Sequence, residues 1–245
     1  MRRTLLGLLA VPFLLSAESL DKPDKLTIHT WVREDLFAGW MAKDAEALAR
    51  GERKLDHFLA SNPTHSSALA WKFLAAHYHM RDAMAKGNTA AYQKRLAESK
   101  VLREKAIAAN PNDVAVYIIV GGVMIMGAYY APEEDKQWLY RDGRELLRKV
   151  PVMQGEVFEK LPPHMRGETW SLLAYASDRL GDKADRDALI DTMFTKLQGT
   201  PYEARAKRWK TLPALNSETD NMCITCHEPG RLKNVQARLA ASAAK

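Results

Sequence analysis

"WKFLAAHY", residues 71–78, sets a ring, then an apolar residue three positions on, a small residue beside it, and a second ring three positions later. Trp71, Leu74, Ala75 and Tyr78 therefore share one face of an α-helix, whose turn takes 3.6 residues. The same cadence returns as "YIIVGGVM" (117–124) and "WSLLAYAS" (170–177). Outward from these stretches apolar residues keep recurring at intervals of three and four, and strand-like alternation is absent. From residue 31 onward nearly everything reads as helix. Breaks fall at "SNPTHS", "KGNT", "NPND", "YAPEED", "VPVMQG", "LPPHMRG", "RLGDKAD" and "GTPYE", leaving helices of roughly 12–20 residues between them. The expected fold class is all-α.

Trp71, Tyr117 and Trp170 each open the first helix of a unit, and the second helices are expected to end at Pro111, Pro151 and Pro201. A weaker copy runs from "EDLFAGWMAKD" to Asn62-Pro63. Small residues at Ala75, Gly121 and Ala174 predict close approach of the two helices of a hairpin. The large residues then fill the groove between hairpins, and a proline stops the second helix. This spacing resembles the tetratricopeptide pattern, although no unit carries every position of it. The resemblance implies stacked helical hairpins over residues 18–210 with an extended surface for partners; a non-repeating helical bundle is the all-α alternative. "YEARAKRWKTL" (202–212) is expected to form a helix capping the last hairpin, as the end of a stack requires.

The chain opens "MRRTLLGLLAVPFLLSAES". Two arginines, an apolar run over residues 5–15 and the small pair Ser16-Ala17 have the layout of a secretory leader, cleaved after residue 17. That run is shorter than the ~20 residues a membrane-crossing helix needs. A soluble exported or periplasmic protein without an integral membrane segment is expected. The composition is that of a globular protein, 47% hydrophobic and 27% charged. The net charge is +6, or +4 without Arg2 and Arg3, and the two signs interleave. No single-sign face emerges, which argues against nucleic acid. "REDLF" (33–37) and "HMRGE" (164–168) bring acid and base together, and helix caps or intra-helix ion pairs are the expected explanation.

The only two cysteines lie in "MCITCHEPGRL" (222–232). Two thiols separated by two residues meet the two vinyl groups of one porphyrin, and a histidine beside the second lies under its iron. The rivals each want something more. A structural zinc site needs a fourth protein ligand, a thioredoxin-type dithiol belongs in an α/β sheet, and a disulfide over so short a loop adds little stability. Export also suits covalent haem.

"CITCH" resembles the attachment motif of c-type cytochromes. That resemblance implies one covalent haem c, with Cys223 and Cys226 forming the thioethers and His227 the proximal iron ligand. Residues 211–245 would be the attachment segment. The rest of the chain is unlike a small cytochrome c domain, and no methionine or histidine follows His227. A sixth ligand would have to come from the helical body, or be water, or be absent. His164, in the loop "LPPHMRG", is the first candidate; His65, His57, His77, His79, Met165 and Met222 follow, while Met124 and Met126 read as core.

No Ser/His/Asp ordering, glycine-rich phosphate loop or carboxylate pair stands out, so no catalytic residue is assigned. A carrier of single electrons, docking to a redox or peptide partner through the repeat surface, is expected rather than a catalyst. A partner-binding scaffold with a structural or sensory haem is the alternative, and a haem enzyme such as a peroxidase is a third.

Overall fold

The computed structural model describes residues 28, 29, 31–37, 39 and 44–215, and among these there is helix and no strand. A π-helical turn, Val32–Phe37, comes first. Nine α-helices follow: α1 Ala45–Ser61, α2 Ser66–Ala85, α3 Thr89–Ala109, α4 Val114–Ala128, α5 Glu133–Gln154, α6 Glu156–Lys160, α7 Pro163–Arg179, α8 Lys183–Lys196 and α9 Pro201–Trp209. The first helices of the expected units start at Ser66, Val114 and Pro163, ahead of the rings that mark them in the sequence.

Short polar side chains set the helix starts by satisfying amide donors that have no partner within the helix. Asp44 accepts from the amides of Glu46 and Ala47, both at 3.0 Å, and Asn88 and Asp113 do the same for α3 and α4. The stops differ from the expected ones. Helix α5 passes through Pro151 and runs to Gln154. Proline lacks an N–H, but in the last turn its loss is confined to one carbonyl. The helix ends instead at Gly155, whose φ of 52° lies in the left-handed region open to glycine. Pro201 does not terminate α8 either. That helix is over by Lys196, and Pro201 is the first residue of α9, where a missing N–H costs nothing.

Neighbouring helices pack in pairs: α2 with α3, α4 with α5, and α7 with α8. The first helices of these pairs, α2, α4 and α7, also touch in that order, while α5 lies against α7 and α9 against α8. Helix α4 is the centre. It carries no charged residue, and none of its fifteen residues is exposed. At its midpoint Gly121 meets α5 backbone to backbone: a Cβ there would fall 2.9 Å from the Gly143 carbonyl oxygen and 3.0 Å from the Leu147 nitrogen. Ala75 and Ala174 are fully buried, in keeping with their small size.

Polar staples fix the register of adjacent pairs. Asp113 accepts from Ser66 Oγ (2.8 Å) and Ser67 Oγ (3.0 Å), joining the starts of α2 and α4. Buried Asp135 accepts from Tyr92 Oη (3.0 Å) and Trp138 Nε1 (2.9 Å), joining α3 to α5. The rings are only partly where groove filling predicts. Trp170 is buried edge-on to Phe158, but Trp71 is half-buried against His29 and Phe37, next to the π-helical turn. Met124 is core, whereas Met126 is only partly buried. Among the described residues no helix is long and apolar enough to cross a membrane.

Two adjacent glycines test the packing of α4. Alanine gains about 1 kcal/mol over glycine in a helix interior. At Gly122 a Cβ would meet only the tip of Leu172, at 3.4 Å. Gly122→Ala is therefore expected to stabilise by about 0.5–1 kcal/mol in urea unfolding, and Gly121→Ala to destabilise by about 1–3 kcal/mol. Equal shifts of the same sign would show that the α4–α5 backbone contact does not limit the packing.

Candidate functional site

Cys223, Cys226, His227 and Met222 lie outside the described residues, as do residues 1–17. The described chain supplies the ground on which the end of the body is built, and two features stand there.

The first is a clamp on residues 213–215. Leu215 is fully buried, and both of its backbone groups are held. Its N–H donates to Asp178 Oδ2 at 2.9 Å, and its carbonyl accepts from Arg179 Nη2. Arg186 ties the arrangement together, donating from Nη1 to Asp178 Oδ1 at 3.0 Å and to the Pro213 carbonyl. The Arg186–Asp178 pair is largely removed from water, at 12% and 8% side-chain exposure, so losing either partner would strand the other. Beyond α9 the chain is thus brought back across the end of α7 and the start of α8.

The second is a polar cluster between α7 and α9. His164 was expected in the loop at the start of the last unit's first helix; it is an exposed residue inside the first turn of that helix, α7, because Pro162 and Pro163 launch the helix there. Its Nδ1 is 3.0 Å from Tyr202 Oη, and that hydroxyl donates to Glu168 Oε1 at 2.9 Å. Tyr202 lies directly over Gly167, where any Cβ would run into its ring. Glycine at 167 is what lets the ring settle between His164 and Glu168, which flank it in sequence. Arg205, one turn along α9, is only 3% exposed. It donates to Ser171 Oγ at 2.8 Å, comes within 3.9 Å of Glu168, and faces the rings of Tyr202 and Trp209. A buried guanidinium needs such company, since stranding it unpaired costs several kcal/mol.

The expectation of local ion pairs in "HMRGE" is corrected here. Arg166 turns to the Leu161 carbonyl and to Glu159, while Glu168 serves the long-range cluster. In "REDLF", Asp35 likewise reaches out of its own segment, to Arg50 and Lys54 of α1.

The other candidate ligands are dispersed. His65 caps α2, accepting from the Ala68 amide at 3.2 Å. His79 pairs with Glu52 at 3.0 Å; burial works to raise the Glu52 pKa, but the bond and charge of His79 outweigh it and hold the carboxyl low. His57 is exposed on α1. His77 is buried against Phe73, and a Cβ on Gly127 would fall 2.6 Å from its Nδ1. Met165, 40% exposed, follows His164 in the first turn of α7. Among the described residues no group of three or more His, Cys, Asp or Glu is set to hold a metal ion. Tyr202, Glu168, Arg205, Asp178 and Arg186 did not emerge from sequence reasoning, because each acts across a gap of about thirty residues or across helices. Comparison with known proteins places nothing beside this architecture: no family model, no curated protein and no solved structure matches the chain.

Two outcomes follow. Burial holds His77 neutral, with its pKa lowered to about 3. The unfolded chain, with an ordinary histidine, binds the proton first, so this residue contributes stability at neutral pH that is lost as pH falls below about 6.5. By pH 4.5 the loss from this residue is about 2–3 kcal/mol, and unfolding curves of His77→Leu at pH 7 and 4.5 are expected to lack it. For the clamp, Asp178→Ala is expected to cost about 3 kcal/mol. It should also speed amide exchange at Leu215 and tryptic cleavage at Lys210; unchanged exchange at Leu215 would count against the clamp.

Proposed function

We propose that the protein is an exported mono-haem protein in which a tetratricopeptide-like stack of helical hairpins carries one c-type haem on its C-terminal segment. The observation that carries this reading is the string Cys223-Ile-Thr-Cys226-His227, which holds the only cysteines of a sequence whose opening residues have the layout of a secretory leader. In this reading Cys223 and Cys226 hold the porphyrin through thioethers, His227 is the proximal ligand and His164 the distal one. When bound, the haem supplies one-electron chemistry, and the protein tunes it through axial ligation, burial and nearby charge.

The donor set of the body fits such a group. His164 is an exposed imidazole whose Nδ1 lies 3.0 Å from Tyr202 Oη, with the Met165 thioether next to it in the chain. Distance also permits it. Leu215 and Cys223 are eight residues apart, a span of at most about 29 Å. His164 stands fourteen residues before Asp178 on α7, about 21 Å along the axis. The partner-binding alternative draws less support. Stacked hairpins bind partners over extended surfaces, and the central helix of this body, α4, has no exposed residue to offer.

Haem-stained denaturing gels of the exported protein, run beside the Cys223→Ala, Cys226→Ala double variant, test the reading. Stain in the first lane alone is the expected result, and a pyridine haemochrome spectrum then reports two thioethers. Mature protein without a Soret band overturns the proposal.

A further inference from the structure

The clamp at the end of α7 grips its occupant by backbone groups, and it does so with side chains. The amides of Thr211 and Leu212 still bond to carbonyls at the end of α9, those of Arg208 and Trp209. At Pro213 and Ala214 the chain bends away from α9. From there its polar holds are Asp178, which accepts the Leu215 N–H at 2.9 Å, Arg179, which donates to the Leu215 carbonyl, and Arg186, which donates to the Pro213 carbonyl at 3.4 Å. Each of these bonds has one charged partner, and such bonds are about twice as strong as neutral ones. The pair that carries two of them, Arg186 with Asp178, is closed between α7 and α8 themselves, so the site is built apart from what fills it. A site of this kind reads a short segment and does not require that segment to belong to the same chain.

Two features define what fits. The charges balance before the occupant is counted: Asp178 and Asp187 both take Arg186, and Arg179 is the second cation. A neutral segment is thereby favoured, and Pro213, Ala214 and Leu215 carry no charge. Only one side chain of the three goes inside, since Leu215 is fully buried while Pro213 and Ala214 are exposed. Proline two positions earlier fixes its own φ, which lowers the freedom such a segment loses on binding.

We propose that the α7–α8 end is a binding site for a short uncharged peptide segment of the pattern Pro-x-Leu, and that residues 213–215 fill it in cis as an internal competitor. The inference does not depend on the haem reading. A partner chain presenting such a segment has to displace residues 213–215, and its apparent affinity is lowered by the fraction of molecules in which the site stands open.

The probe is an amidated, fluorescein-labelled Thr-Leu-Pro-Ala-Leu peptide, the sequence of residues 211–215, followed by anisotropy against the full chain. Leu215→Asp sets a carboxylate beside Asp178 and expels the internal segment. This variant is expected to bind the probe at least about 10-fold tighter than the unaltered chain. Adding Arg179→Gln to it is expected to weaken binding about 10-fold, through loss of a charged donor. A probe ending in alanine is expected to bind about 10–100-fold more weakly, the scale of one buried leucine. Equal affinity of Leu215→Asp and the unaltered chain, indifference to Arg179→Gln, or no binding by a folded Leu215→Asp chain overturns the proposal. The unaltered chain supplies a second reading that needs no variant. Excess unlabelled peptide is expected to speed amide exchange at Leu215 by freeing it, and to leave exchange within α4 unchanged. If Leu215→Asp fails to fold, this reading alone decides, and a Leu215 amide that ignores the peptide overturns the proposal.

Discussion

The architecture depends on one backbone contact. Helices normally lie 8–10 Å apart because side chains hold them there. At Gly121 and Gly143 there are none, and a Cβ on Gly143 would stand 3.0 Å from the Gly121 carbonyl oxygen, just as one on Gly121 would crowd the Gly143 carbonyl. Drawn in at this point, α4 and α5 leave room for α2 and α7 to close over the other sides of α4. An apolar helix with no charged residue tolerates that position because it has no polar side to hide. The apolar stretch "YIIVGGVMIMG" is the hub of the described fold.

Around the hub, order between helix pairs comes from a few polar atoms placed where apolar packing alone would allow sliding. Asp113 takes two donors from α2, Asp135 takes one from α3 and one from its own helix, and both are buried. Such groups are costly to bury without partners, so a slipped register leaves them unsatisfied. At the far end Arg205 does for α9 what the two aspartates do for the earlier pairs. It is held by Ser171, Glu168 and two rings, and it docks a nine-residue helix too short to persist by itself.

Much of the fold was legible because helical periodicity is local. The rings and small residues of 71–78, 117–124 and 170–177 gave the helix pairs, and Gly121 was rightly read as a point of close approach. Its counterpart, Gly143, was not, since nothing local distinguishes it in "YRDGREL". Prolines misled in two places. Pro151 sits inside a last turn and Pro201 begins a helix, and a proline's role depends on which side of the boundary it falls. His164 was singled out by sequence, but its setting was not. "HMRGE" offers an obvious local ion pair, and only the return of α9 over Gly167 gives Glu168 a different partner. Cooperation between residues 164–168 and 202–205, or between 178–186 and 215, is a property of the fold and leaves no spacing to read. The motif of residues 223–227 is the reverse case, legible as chemistry and lying outside the described residues.

The double hold on Leu215 has a consequence for whatever the segment bears. Counted from the end of α9 at Trp209, a group bonded to Cys223 could range over a radius of about 50 Å. Counted from Leu215, the radius is about 29 Å, and the volume is smaller by roughly five-fold. Two hydrogen bonds to one backbone unit thereby shorten by six residues the length of chain that separates Cys223 from its last anchor on the body, with no contact to Cys223 itself.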